Sequence, residues 1–164
     1  MLNKNSLLWL FMVLLIPVKT FSQFQNQASE INIFLDKWHD AAAIADSVAY
    51  FDAIAERGIY IGTDKSEVWS KQAFQVWASP HFKSGKTWKF RGENRHVYFT
   101  IEGHTAWFDE LVVSPKSEFR GSGVLVHTEK GWKIQQYVLS VMVPNDIYRE
   151  VDSLIKKFEA DKME

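Results

Sequence analysis

The C-terminal half of this sequence alternates between apolar and polar residues in a chain of short stretches. They are Thr87 to Arg91, Arg95 to Ile101, Thr105 to Val113, Phe119 to His127 and Trp132 to Val143. A period of two is that of a β-strand with different surroundings on its two faces. The connections, Gly92-Glu93-Asn94, Glu102-Gly103-His104, Ser114 to Glu118 and Glu129-Lys130-Gly131, have hairpin lengths and turn residues, so an antiparallel sheet is expected. Before Pro80 the period is helical. Ile31, Phe34, Leu35 and Trp38 mark a first helix, interrupted at His39-Asp40, and Val48, Phe51 and Ala55 mark a second, ended by Arg57-Gly58. Ile59 to Ile61 is a short strand. Asp64-Lys65-Ser66-Glu67 reads as a capping box opening a third helix through Val68, Trp69, Phe74 and Trp77, which stops before Pro80. A final helix from Asn145-Asp146 is expected to bury Ile147, Val151, Leu154, Ile155 and Phe158. Helices, then strands, then one helix predict an α+β fold with the helices laid on one face of a curved sheet.

Composition narrows the function classes. With 46% hydrophobic and 24% charged residues, the 164-residue chain suits one globular domain and not a disordered tract or coiled coil. A net charge of −1 argues against a nucleic-acid partner. The absence of cysteine excludes disulfides, thiolate catalysis and sulfur-ligated zinc. No histidine pair has metal-site spacing, and no metal or cofactor is expected. The apolar run Leu7 to Val18, between Lys4 and the small residues Thr20 and Ser22, predicts a signal peptide over residues 1–22. The run is too short to span a bilayer, so a periplasmic or secreted protein free of the membrane after cleavage is expected. Residues 23–29 read as a polar lead-in, 30–144 as the domain and 145–164 as a C-terminal helix.

Three motifs in this order carry a resemblance. They are Ile59 to Trp69 (IYIGTDKSEVW), Ala106 to Glu110 (AWFDE), and Arg120 to Leu125 (RGSGVL) followed by Gly131-Trp132-Lys133-Ile134. Together they resemble the SnoaL-like branch of the nuclear transport factor 2-like superfamily over about Ile31 to Val143. The resemblance implies a cone, in which a strongly bent antiparallel sheet wraps the N-terminal helices and leaves a cavity at its wide end. It also implies pairing of two copies through the outer sheet face, hence a homodimer. Gly121 and Gly123 read either as bend points of the sheet or as places where an aromatic ring packs over a strand.

The resemblance sets the Arg120, Ser122, Val124 face and the Tyr137, Leu139 face toward the cone interior, and Trp107 and Asp109 are expected inward with them. Trp38, Tyr60, Trp107, Arg120, Tyr137 and Leu139 are then the expected ligand-binding residues for a small apolar or aromatic molecule, with Asp109 and Arg120 supplying polarity. The first reading of Arg120 is as a cross-strand ion-pair partner of Asp109 or Glu110, ahead of a clamp for an anion or carbonyl. Asp109 or His39 would be the proton carrier if the domain is instead a cofactor-independent isomerase, cyclase or dehydratase. A third reading is a dimeric assembly domain with a filled cone. Ketosteroid isomerase machinery is not matched: Asp64 is explained by capping, and Trp38 stands near where that enzyme places a tyrosine. Trp69, Trp77 and Trp132 are expected mainly to fill the core.

Overall fold

The computed structural model describes residues 21–162, so of the expected signal peptide only Phe21 and Ser22 fall within the described residues. In chain order it contains α1 (Phe21–Ala43), α2 (Ser47–Asp52), β1 (Ile54–Ile61), β2 (Val68–Ser70), α3 (Lys71–Ser84), β3 (Arg91–Phe99), β4 (Thr105–Val113), β5 (Glu118–Thr128), β6 (Gly131–Val141), a 3₁₀ turn (Asn145–Ile147) and α4 (Tyr148–Asp161). The α+β class follows. One six-stranded sheet runs β2-β1-β6-β5-β4-β3. All neighbours are antiparallel except β1 and β6, which run parallel with Tyr60 opposite Tyr137. The register slips between Glu93 and His96, between Val124 and Leu125, and between Ile54 and Ile59. Such bulges raise local twist and bend a sheet. Here they curl it around the helices without closing it, and the core of Ile31, Leu35, Tyr50, Phe74, Leu125, Ile134 and Tyr137 fills the concave side.

Several elements differ from their expected form, each for a local reason. The helix α1 starts at Phe21, so residues 23–29 are helical, with Phe24 held against Phe99 at 5.4 Å between ring centroids. It also continues through His39-Asp40 to Ala43, because the alanines that follow favour helix. Helix α2 ends at Asp52, since β6 captures the next residues: Ile134 N–H donates to the Ala53 carbonyl at 2.9 Å and Ile54 pairs with Ile134. Only the Glu67 half of the Asp64–Glu67 box is formed, with the Asp64 N–H donating to Glu67 Oε2 at 3.2 Å; the Asp64 carboxylate instead takes the Ser66 N–H, and the segment closes a turn into β2 instead of opening a helix. Helix α3 is capped by Ser70, whose Oγ accepts from the Ala73 N–H. It runs past Pro80 to Ser84, where burial of Phe82 holds its last turn to the core. Gly92-Glu93-Asn94 is a bulge inside β3 and not a hairpin, with Asn94 at φ 48°.

The C-terminal helix does not bury the residues expected of it. Ile147, Leu154, Ile155 and Phe158 are exposed, and no side chain of α4 is buried. The chain leaves the sheet at Val141, and α4 stands beside the Thr63–Ser66 turn, with Lys65 paired to Glu159. Among the described residues no helix is long and apolar enough to cross a membrane.

Candidate functional site

The strand register decides which residues face the helices. Phe108 lies opposite Gly123, and Gly123 opposite Tyr137; Glu110 lies opposite Gly121, and Gly121 opposite Leu139. These rows form the concave face, where Phe108, Glu110, Tyr137 and Leu139 are all buried. The glycines are needed there. A Cβ on Gly121 would stand 2.5 Å from the Tyr137 hydroxyl and 2.8 Å from Val112 Cγ2. A Cβ on Gly123 would strike the Gln136 carbonyl and the Phe108 ring. Both glycines are therefore sites of close packing, whatever they add to the bend.

Trp107, Asp109 and Arg120 point the other way, which corrects their expected inward placement. The three share one face, as expected, because Trp107 pairs with Val124, Asp109 with Ser122 and Leu111 with Arg120. The error lies at the β5–β6 hairpin, where Arg120 pairs with Ser140 and not with Tyr137 or Leu139. That face is the convex, outer one. Trp107 is 45% exposed and stacks on Tyr98 at 5.8 Å. Asp109 accepts from Arg120 Nη1 at 3.3 Å and lies 3.3 Å from His96 Nδ1, so the cross-strand pair is the role Arg120 takes.

On the concave side, a buried polar centre joins α1 to the sheet. His39 Nε2 lies 2.8 Å from Glu110 Oε1, and Arg95 Nε donates to Glu110 Oε2 at 2.8 Å. The β3 bulge turns Arg95 inward, where its Nη1 donates to the Asn32 carbonyl at 3.0 Å and its Nη2 to Asp36 Oδ1 at 2.9 Å. The Tyr137 hydroxyl donates to Glu110 Oε1 at 3.4 Å. Burial alone would raise the Glu110 carboxyl, but the hydrogen bond and charge of His39, followed by Arg95, hold it below the usual carboxylate range. Burial, then the Glu110 charge, pushes the Tyr137 phenol well up, so it stays a hydrogen-bond donor. Both carboxylate oxygens are engaged by protein groups. This arrangement ties elements together and leaves His39 no substrate-facing position.

A mostly aromatic recess lies elsewhere, between the β1–β2 end of the sheet and α3. Tyr60, Trp69, Phe74 and Leu139, with Trp77, Trp88 and Phe90, line a hollow of about 180 Å³ bordered by Gly62, Thr63 and Glu67. Its rings are close to parallel: Tyr60 and Phe74 are 4.0 Å apart at 15°, Trp69 and Trp77 4.9 Å apart at 27°, and Trp77 and Trp88 6.5 Å apart at 28°. Burial, then the charge of Glu67, raises the Tyr60 phenol, which remains neutral.

Of the expected ligand residues, the structure brings Tyr60 and Leu139 to this hollow. Tyr137 and Trp38 are buried behind it, Tyr137 stacked on Tyr60 at 5.6 Å and Trp38 edge-on to Tyr137 at 4.7 Å. Trp69 and Trp77, expected mainly as core, together with Trp88, make up the aromatic wall. Glu110 pairs with the buried Arg95 and not with Arg120, and neither Glu110 nor Arg95 is among the expected site residues. A signal for Glu110 exists in its strand, where Ala106, Phe108 and Val112 share its face. Arg95 had none, because its direction depends on the bulge. Among the described residues no three His, Asp or Glu side chains are grouped to hold a metal ion.

Comparison with known proteins gives the same architecture. The SnoaL-like domain profile matches residues 31–144. A nuclear transport factor 2-like protein of unknown function from Pseudomonas putida superposes with a TM-score of 0.60 at 14% identity, covering 71% of this chain and 87% of that one. A cystatin-like-fold member from Novosphingobium aromaticivorans gives 0.59 at 14% identity, over 80% and 96% of the two chains. A suggested dehydratase of the same family from Streptomyces avermitilis gives 0.59 at 15% identity, over 73% and 99%. No curated protein sequence matches the chain.

Proposed function

The chain belongs to the SnoaL-like domain family, and from that premise we propose that it binds a small apolar or aromatic molecule in the hollow between β1, β2 and α3. One observation carries this reading: Tyr60, Trp69, Trp77, Trp88 and Leu139 converge on a mostly aromatic hollow, whereas the recess between α1, α2 and the β5–β6 turn is bordered by Lys37, Asp52, Lys130 and Lys133. Ligand sites are usually concave and mostly apolar, with few polar groups. Catalysis by Asp109 or His39, as an isomerase, cyclase or dehydratase, is less well supported. Asp109 lies on the outer face paired with Arg120, and His39 is buried against Glu110. Titration of indole and toluene into the ¹⁵N-labelled protein tests the binding reading. Saturable shifts confined to the Trp69, Trp77 and Trp88 indole N–H signals are expected. No shifts, or shifts scattered over all tryptophans, would overturn it.

A second reading, compatible with the first, has its own observation. Tyr98 and Trp107 are exposed and stacked on the outer face, which supports a homodimer formed there. Sedimentation of the wild type and Trp107→Glu tests it: a dimer that the substitution dissociates is expected, and a monomeric wild type rejects it. Export to the periplasm or exterior is supported by the Leu7–Val18 run. A first residue at Gln23 in protein purified from its host is the expected outcome.

A further inference from the structure

We propose that the aromatic hollow selects a small organic cation, a methylated or alkylated ammonium group, an inference that rests on the binding reading above and names its ligand class. Glu67 carries the one formal charge in the lining; no lysine, arginine or histidine contributes to it. None of the ion pairs among the described residues involves Glu67, so its charge is not neutralised by the protein. Its Oε2 accepts the Asp64 N–H at 3.2 Å and rests where a Cβ on Gly62 would be, which fixes the carboxylate at the border of the hollow.

The walls favour the same sign of ligand. Indole and phenol faces carry partial negative charge and attract cations within about 6 Å of the ring centre. Trp69, Trp77 and Trp88 bring three indoles to one recess; Tyr60 is itself stacked between Phe74 and Tyr137, so contact with a cation falls to the indoles, above all to the exposed Trp77. An alkylammonium group suits this better than a bare ion. Its methyl groups replace water against the rings at little desolvation cost, and its diffuse charge meets both the π faces and the Glu67 carboxylate. An aromatic acid would meet Glu67 with like charge and find no cationic partner.

Choline and its uncharged carbon isostere, 3,3-dimethylbutan-1-ol, have nearly the same shape and separate charge from size. Binding is read by calorimetry and by the tryptophan indole N–H signals of the intact chain. Choline is expected to bind about tenfold more tightly than the alcohol, a difference in the range of a desolvated cation–π contact. Glu67→Gln, whose amide oxygen can still accept the Asp64 N–H, is expected to reduce that ratio at least about fivefold while the alcohol's affinity stays constant. Equal binding of both compounds would overturn the cation inference and leave the binding reading standing. So would an unchanged ratio in Glu67→Gln. Failure of choline while indole still binds overturns the cation inference alone, and failure of every compound overturns both.

Discussion

His39 and Glu110 stand 71 residues apart in sequence and 2.8 Å apart in space, and neither reaches solvent. Arg95 completes the group from β3, its side chain only 6% exposed. Removing Glu110 leaves Arg95 buried with half its carboxylate partners. Glu110→Ala is expected to destabilise the domain by about 3–5 kcal/mol, the usual cost of stranding a buried charge. Urea unfolding measures it, and a loss below about 1 kcal/mol would show that the centre does not tie α1 to the sheet.

The same residue sets an acid limb of stability. Its folded carboxyl lies below the ordinary value, so its contribution is complete above about pH 4.3 and is lost as pH falls through the lower folded pKa. Urea midpoints compared at pH 6 and pH 3 are expected to fall more in the wild type than in Glu110→Gln. Equal falls would mean that Glu110 does not contribute to the acid limb.

On the outer face the expectation is reversed. Arg120 is half exposed in its pair with Asp109, and exposed pairs contribute about 0–1 kcal/mol. Arg120→Ala is expected to shift stability by no more than that and to leave indole titration unchanged. A lost indole response would return Arg120 to the ligand site.

The glycines of β5 should rank. At Gly121 the obstructions are side chains, the buried Tyr137 hydroxyl and Val112 Cγ2; at Gly123 the nearest is the backbone carbonyl of Gln136 on the neighbouring strand, which cannot shift without disturbing the ladder. Gly121→Ala is expected to cost about 1–3 kcal/mol, typical of overpacking, and Gly123→Ala more. Thermal unfolding of the two variants checks the order.

Deleting residues 145–164 is expected to leave the urea midpoint almost unchanged, since α4 buries no side chain. A large drop would place its apolar face in the folding core.

The sequence made the class legible because periodicity is local. The switch from helical spacing to alternation near Pro80 locates helices and strands, and β4, β5 and β6 lie within two residues of their expected spans. Sidedness was harder. In β4 both faces carry large apolar side chains, Trp107 and Leu111 against Phe108 and Val112, so alternation alone does not say which is inside. The decision rests on pairings such as Arg120 with Ser140, which are non-local. The direction of Arg95 and the start of α3 at Lys71 rest on a bulge and on a strand of three residues, features too short to leave a period. The hollow is half legible: Tyr60 and Leu139 are among the expected ligand residues, while Trp69 and Trp77 have the spacing of ordinary core residues.

The parallel seam between β1 and β6 has a bearing on how this molecule comes into being. Tyr60 cannot find its partner until Tyr137 has been synthesised, and so long a loop closure makes early assembly slow and unfavourable. The hairpins β3–β4 and β4–β5 are local and can form first, so the seam that brings the N-terminal helices and the sheet together is the step left for last.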